Sequence, residues 1–202
     1  MDRREFFTRS AGKVAQKVTQ HAAEKARENA ARWIRPPFAI EELDFLIACT
    51  RCGDCINACP YEIIFPLSSK LGVKVFNTPA MDLNNHGCHL CEDWPCVQAC
   101  VQACEKPVLK IPEINSEQKE NTTSLKKPLP KLANGFINIK TCLPYSGPEC
   151  GACKVCPVEG AMVWNMEKPS INNDLCTGCA LCREACIVEP KAIDVQSIYK
   201  TA

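Results

Sequence analysis

The sequence predicts an α+β fold built from short repeated units behind an N-terminal helical arm, on three observations. Sixteen of its seventeen cysteines fall into four compact groups of four, short apolar runs of strand length flank those groups, and a proline-free, alanine-rich stretch precedes the first group. The cysteine groups set the loops, the apolar runs set the strands, and the alanine-rich stretch sets the helix.

The first group, Cys49, Cys52, Cys55 and Cys59, is followed by Pro60 and spells C-x2-C-x2-C-x3-C-P. That is the run that wraps a cubane iron–sulfur cluster in bacterial ferredoxins. Cys88, Cys91, Cys96 and Cys100 give C-x2-C-x4-C-x3-C; Cys142, Cys150, Cys153 and Cys156, followed by Pro157, give C-x7-C-x2-C-x2-C-P; Cys176, Cys179, Cys182 and Cys186 repeat the first spacing. Three cysteines at two-residue gaps converge on one small object only if the backbone curls around it with sulfurs and amide N–H groups inward. The fourth cysteine lies one helical turn further on, so its sulfur is directed to a neighbouring cluster. Four quartets therefore predict four 4Fe–4S clusters in close pairs, with all sixteen of these cysteines as ligands. Which group pairs with which is left open by the spacing. A disulfide scaffold is disfavoured because four cysteines within eleven residues do not easily reach distant partners in the required geometry. Structural zinc uses two-cysteine knuckles and does not call for a third at the same gap.

Composition agrees with metal cross-linking. Seven Phe, three Trp and three Tyr in 202 residues leave a thin core, and fifteen Pro interrupt regular elements. Clusters tied by four bonds each would replace the missing burial, so the metal-free chain is expected to be largely unfolded. Residues 1–35 carry nine Lys/Arg against four Asp/Glu, a net of +5 that leaves −4 for the rest. A basic arm suits an acidic protein face or a peripheral contact with an anionic membrane surface. Nucleic acid would want a larger basic footprint with interleaved aromatics, and none is expected as a partner.

Along the chain, residues 1–36 read as the basic arm and helix and 37–202 as the cluster region. The helix is expected from about Ser10 to Trp33, with Val14, Val18, Ala22, Ala26 and Ala30 on a weak apolar face and Pro36 and Pro37 as its stop. Arg3-Arg4-Glu5-Phe6-Phe7 resembles a twin-arginine export signal, but charges recur where an apolar region should follow. The expectation is an uncleaved cytoplasmic arm, with export to the periplasm as the alternative. No segment approaches the length of a membrane span. Strands are expected at Ile63-Ile64-Phe65, Val73-Lys74-Val75-Phe76, Phe136-Ile137-Asn138-Ile139 and Ala192-Ile193-Asp194-Val195. A further hairpin pairs Val163-Trp164-Asn165 with Pro169-Ser170-Ile171 across a turn near Glu167-Lys168. The unit of cysteine loop, short helix, strand, turn and strand is the repeating half of a bacterial ferredoxin, so four halves predict two such modules in tandem, a polyferredoxin. Residues 105–134 break the rhythm with four prolines around the polar run Asn115 to Lys127. They read as an exposed, mobile insertion, or as a partner-docking loop.

One cysteine is left over, because Val97-Gln98-Ala99-Cys100 is repeated as Val101-Gln102-Ala103-Cys104. Spacing favours Cys100 as the ligand and Cys104 as the spare. Val101 and Ile187 stand where Pro60 and Pro157 follow the other fourth cysteines, and the short gap between Cys153 and Cys156 makes that cluster the expected labile one. His86 and His89 flank Cys88 and read as loop histidines, while Trp94, Trp164 and Tyr145 read as shields against water. No C-x3-C-x2-C triplet, G-x4-G-K phosphate loop or G-x-G occurs. No catalytic residue is predicted, and the chain is not read as an enzyme.

From Ile34 to Cys59, IRPPFAIEELDFLIACTRCGDCINAC is similar to the opening of the ferredoxin-type accessory proteins of the NapF/NapG/MauM group, and CLPYSGPEC and CTGCALCREAC extend the resemblance. It implies four 4Fe–4S clusters and a role supporting a respiratory molybdenum enzyme, the periplasmic nitrate reductase among them. The implied partner is a molybdenum reductase subunit or a membrane quinol-oxidising protein. The group has a cytoplasmic branch, which acts on the reductase before export, and an exported branch, which relays electrons. Arg3-Arg4 looks like the first, and Trp94-Pro95 before Cys96 looks like the second. The short gap before Cys156 and the repeated Val-Gln-Ala-Cys depart from both. The resulting expectation is an electron-transfer protein that relays electrons to or from a respiratory redox enzyme, with a maturation factor for a molybdenum enzyme as the second reading.

Overall fold

The computed structural model describes the backbone of residues 3–112 and 128–200, with side chains from residue 16 onward. The polar run of the expected insertion lies almost wholly outside the described residues. Helix α1 runs from Arg3 to Ala30, then α2 (Glu42–Ala48), α3 (Asp54–Asn57), β1 (Ile64–Pro66), β2 (Pro79–Met81), α4 (Pro95–Ala103), β3 (Ala133–Ile137), α5 (Leu143–Ser146), β4 (Met162–Asn165), β5 (Lys168–Ile171), α6 (Leu181–Glu184) and β6 (Ile193–Ser197). Short helices and two-stranded sheets of this kind make an α+β fold.

Helix α1 starts seven residues before the expected Ser10 and ends three before Trp33. Its last turn unwinds through Arg32 N–H to Asn29 O and Trp33 N–H to Ala30 O, so the helix is finished before Pro36 is reached. Val14 of the expected apolar face lies outside the described side chains, and of the rest only the C-terminal end docks. Ala26 and Ala30 are buried, whereas Val18 is 63% exposed. Alanine allows close approach there, and Trp33 and Arg35 then carry the chain into the core. Arg35 and Glu42 are both buried, and the guanidinium also donates to Thr78 Oγ1 and Pro79 O, which ties the segment after α1 to α2 and β2.

The two halves of the chain repeat one plan. In the second half, β3 and β6 pair antiparallel from Ala133 opposite Ser197 to Ile137 opposite Ile193, enclosing a hairpin of β4 and β5. That hairpin turns at Met166 and Glu167, both at positive φ, which suits the right-handed twist of a two-residue connection. In the first half the hairpin is β1 with β2. The enclosing pair is reduced to Phe38–Ile40 against Val108–Lys110, held by Ile40 N–H to Val108 O and Lys110 N–H to Phe38 O.

The expected strand Val73–Phe76 is instead a run of turns, and β2 begins at Pro79. Gly72 and Asn77 at positive φ close the loop, Arg51 donates from its guanidinium to the Lys74 and Phe76 carbonyls, and Val73 is 88% exposed. Alternation of apolar and polar residues here marks one buried side chain, Val75, and not a sheet face.

The halves share a core. Phe45, Val97 and Leu109 from the first and Leu132, Ala133 and Ala180 from the second belong to one apolar cluster. Arg183 Nε donates to Asn84 O, and Ser197 Oγ donates to Ala30 O. Gly178, at φ +75°, sits so close to Ala133 that a Cβ would lie 2.2 Å from its carbonyl oxygen, so no other residue fits where β3 meets the fourth cysteine group.

Candidate metal centres

The loops of the first, second and fourth cysteine groups curl through residues in left-handed backbone. Arg51 and Gly53 do so in the first group, Leu90 in the second, and Gly178 and Ala180 in the fourth. This turns amide N–H groups inward toward the sulfurs. Gly178 N–H donates to Cys176 Sγ at 3.3 Å, and the amides of Arg51, Leu90 and Leu181 act in the same way on Cys49, Cys88 and Cys179, each two residues earlier. Donors aimed at sulfur favour the thiolate form.

The fourth cysteine of each group crosses to its neighbour group. Burial pushes the Cys55 thiol up to about 12, and Cys100, Cys49 and Cys52 beside it push the same way. Burial likewise holds Cys96 at about 12, with Cys59 the strongest thiol acting on it and Cys91 next. In the second half burial raises Cys153 to about 11, reinforced by Cys142, Cys150 and Cys186. Burial raises Cys182 to about 12, reinforced by Cys179, Cys156 and Cys176. Four quartets result: Cys49, Cys52, Cys55 and Cys100; Cys59, Cys88, Cys91 and Cys96; Cys142, Cys150, Cys153 and Cys186; Cys156, Cys176, Cys179 and Cys182. The first group exchanges with the second through α3 packed on α4, and the third exchanges with the fourth through the turn Ala152–Val155 packed on α6.

None of the seventeen cysteines is joined in a disulfide. Among the described residues no three His, Cys, Asp or Glu side chains converge closely enough for a single metal ion. Two of the quartets line voids. Cys59, Cys88, Cys91 and Cys96 line one with Ile63, Ile64 and Trp94, and Cys142, Cys150, Cys153 and Cys186 line another with Ile137, Pro144 and Ile193. Four thiols around an apolar void fit a polynuclear cluster. Burial disfavours a bare thiolate at these positions, and a bound metal would favour it.

Cys104 sits at the end of α4, half-buried, with Sγ 3.3 Å from Thr50 Oγ1, whereas Cys100 is buried one turn earlier beside Cys55. His89 stacks flat on Tyr61, centroids 3.6 Å apart and planes 4° apart, and exposed His86 faces Glu184. The Tyr61–His89 stack lies at the mouth of the second quartet's void, a cover that sequence spacing did not reveal because the two residues are far apart in the chain. Trp94 is buried edge-on to Phe38 at the same void. Trp164 packs against the Cys153–Cys182 cluster under Lys154, and Tyr145 donates its hydroxyl proton to Pro169 O.

Comparison with known proteins places this geometry in context. The methylamine utilization ferredoxin-type protein MauM of Methylobacillus flagellatus is 32% identical over 176 residues, covering 82% of this chain and 69% of its own. The ferredoxin-type protein NapG of Haemophilus influenzae is 31% identical over 176 residues, covering 80% of this chain and 58% of its own. The ferredoxin-type protein NapF of Escherichia coli is 27% identical over 164 residues, covering 79% and 83%. No protein-family model matches the chain, and no solved structure matches it significantly. On this identity and coverage, the chain belongs to the family of ferredoxin-type proteins that includes MauM, NapG and NapF.

Proposed function

We propose that this chain is an iron–sulfur electron carrier with one 4Fe–4S cluster in each of the four quartets named above, its two halves being tandem ferredoxin-like modules. The observation that carries the reading is the reciprocal crossing of Cys59 with Cys100 and of Cys156 with Cys186, which makes two interlocked pairs of sites. A bound cluster supplies reversible one-electron chemistry. The chain's own residues hold it and tune it. Amides at positions 51, 90, 178 and 181 donate toward sulfur, and Ile63, Ile64, Trp94, Ile137 and Ile193 exclude water. In this reading the chain acts as a carrier.

The relatives' names associate the reading with nitrate reductase or methylamine metabolism, and the proposed partner is a redox protein of such a system, a molybdenum reductase subunit or a membrane quinol oxidiser. No described helix is long and apolar enough to cross a membrane. Exposure of α1 from Gln16 to Ala22 favours a second reading, in which the basic helix docks a partner apoenzyme before export and the clusters prime its assembly in the cytoplasm. Truncation of residues 1–24 separates the two, since Ala26, Ala30 and Trp33 belong to the core and must stay. An anaerobic redox titration followed by electron paramagnetic resonance, on full-length and truncated protein, supports a pure carrier if the truncated protein still exchanges electrons and the partner enzyme is active in cells. Intact electron exchange with an inactive partner enzyme supports assembly.

A further inference from the structure

We propose that the four quartets form one continuous row, joined at its middle by a backbone contact between the two halves, and that Gly87 is the positioning residue that lets the two inner quartets meet. The inference rests on the four-cluster reading above. Three contacts give the order. Helix α3, carrying Cys55, packs on α4, carrying Cys96 and Cys100, so the first and second quartets are neighbours. Cys153 and Cys182 lie in one apolar cluster, so the third-group quartet and the fourth-group quartet are neighbours. Between the halves, Cys88 N–H donates to Cys179 O at 2.7 Å, and these two residues belong to the second quartet and to the quartet of Cys156, Cys176, Cys179 and Cys182. The quartets with Cys52 and with Cys142 are thus the ends of the row, and Cys52 is the exposed one among the cysteines.

The junction is tight because residue 87 has no side chain. A Cβ there would lie 2.8 Å from Leu181 N and Cδ2 and 2.9 Å from Leu181 Cα. Backbone cannot yield as a side-chain tip can, so any side chain at 87 displaces Leu181, which lies between Cys179 and Cys182. The same short helix α6 clamps the loop from a second side. Glu184 Oε2 accepts from Gly87 N–H at 2.8 Å, and Arg183 Nε donates to Asn84 O at 3.0 Å. Gly87 has a φ outside the left-handed region, so its need for glycine is one of space and not of backbone conformation.

The test is electron paramagnetic resonance of the fully reduced, anaerobic holoprotein, with iron and sulfide counted on the same samples. Clusters within each half couple magnetically whatever the junction does. The row predicts additional coupling between the halves, so that the wild-type spectrum is not the sum of two isolated pairs, and Gly87→Ala is expected to lose that extra interaction at full iron content. Short iron counts in the wild type overturn the four-cluster reading. Full counts with a spectrum of two isolated pairs, or with the extra interaction intact in Gly87→Ala, overturn the row. Should Gly87→Ala fail to load iron, Glu184→Ala removes the acceptor of the Gly87 N–H without adding volume. A weakened cross-interaction there supports the proposal, and an unchanged one overturns it.

Discussion

Arg35 and Glu42 form a doubly hydrogen-bonded ion pair in the core, Nη2 to Oε1 at 2.6 Å and Nε to Oε2 at 2.9 Å, with Trp33 Nε1 donating to the same carboxylate. The guanidinium lies 4.4 Å over the Phe45 ring centroid. Every polar atom of the pair is therefore partnered away from water. Arg35→Met leaves Glu42, which is 0% exposed, without its cation. The expected loss is about 3–5 kcal/mol of stability, the cost typical of orphaning one member of a buried pair. Anaerobic denaturant unfolding of the holoprotein checks it, and a loss below about 1 kcal/mol would mean that water or relaxation replaces the arginine.

Cys100→Ser and Cys104→Ser are expected to differ sharply, since one thiol lies beside Cys55 and the other beside Thr50. The first loses or destabilises one cluster, removing about four iron atoms or converting it to a three-iron form, while the second keeps full iron. Iron counting and resonance spectra on both variants check this. Full cluster content in Cys100→Ser would return the ligand role to Cys104.

Tyr61 covers the second quartet through its stack on His89. Tyr61→Ala opens that void to water and oxygen, and the expected result is roughly a 10-fold faster loss of one cluster in air, a size typical of outer-shell changes at metal sites. The decay of the brown absorbance follows it. Identical decay in wild type and variant would show that Trp94 and Ile63 shield the site alone.

Chelation should unfold the chain. With burial pushing Cys55, Cys88, Cys96 and Cys182 to about 12, the metal-free sites fill with protonated thiols around voids, and the packing of the hairpins depends on what occupies them. The expected amide spectrum of the apoprotein is poorly dispersed. A well-dispersed spectrum would show that the apolar core of Phe45, Val97 and Leu109 suffices.

What could be read in advance was local. The cysteine loops are legible because ligand spacing within a group is a property of adjacent residues, and the hairpin from Val163 to Ile171 is legible because strand alternation and turn fall within ten residues. The exchange between groups is not, because Cys59 lies beside Cys96 only once α3 has packed on α4. Val73–Phe76 has the alternation of a strand, yet Gly72 and Asn77 at positive φ and the Arg51 guanidinium make it a loop. Gly87 carries no signal at all, since its requirement comes from Leu181, far along the chain.

If the four thiol quartets hold iron cubes, protein purified without oxygen carries about 16 iron atoms and about 16 acid-labile sulfides per chain, with a brown charge-transfer band. Colourless protein lacking acid-labile sulfide, whether it carries zinc or disulfides, would contradict it.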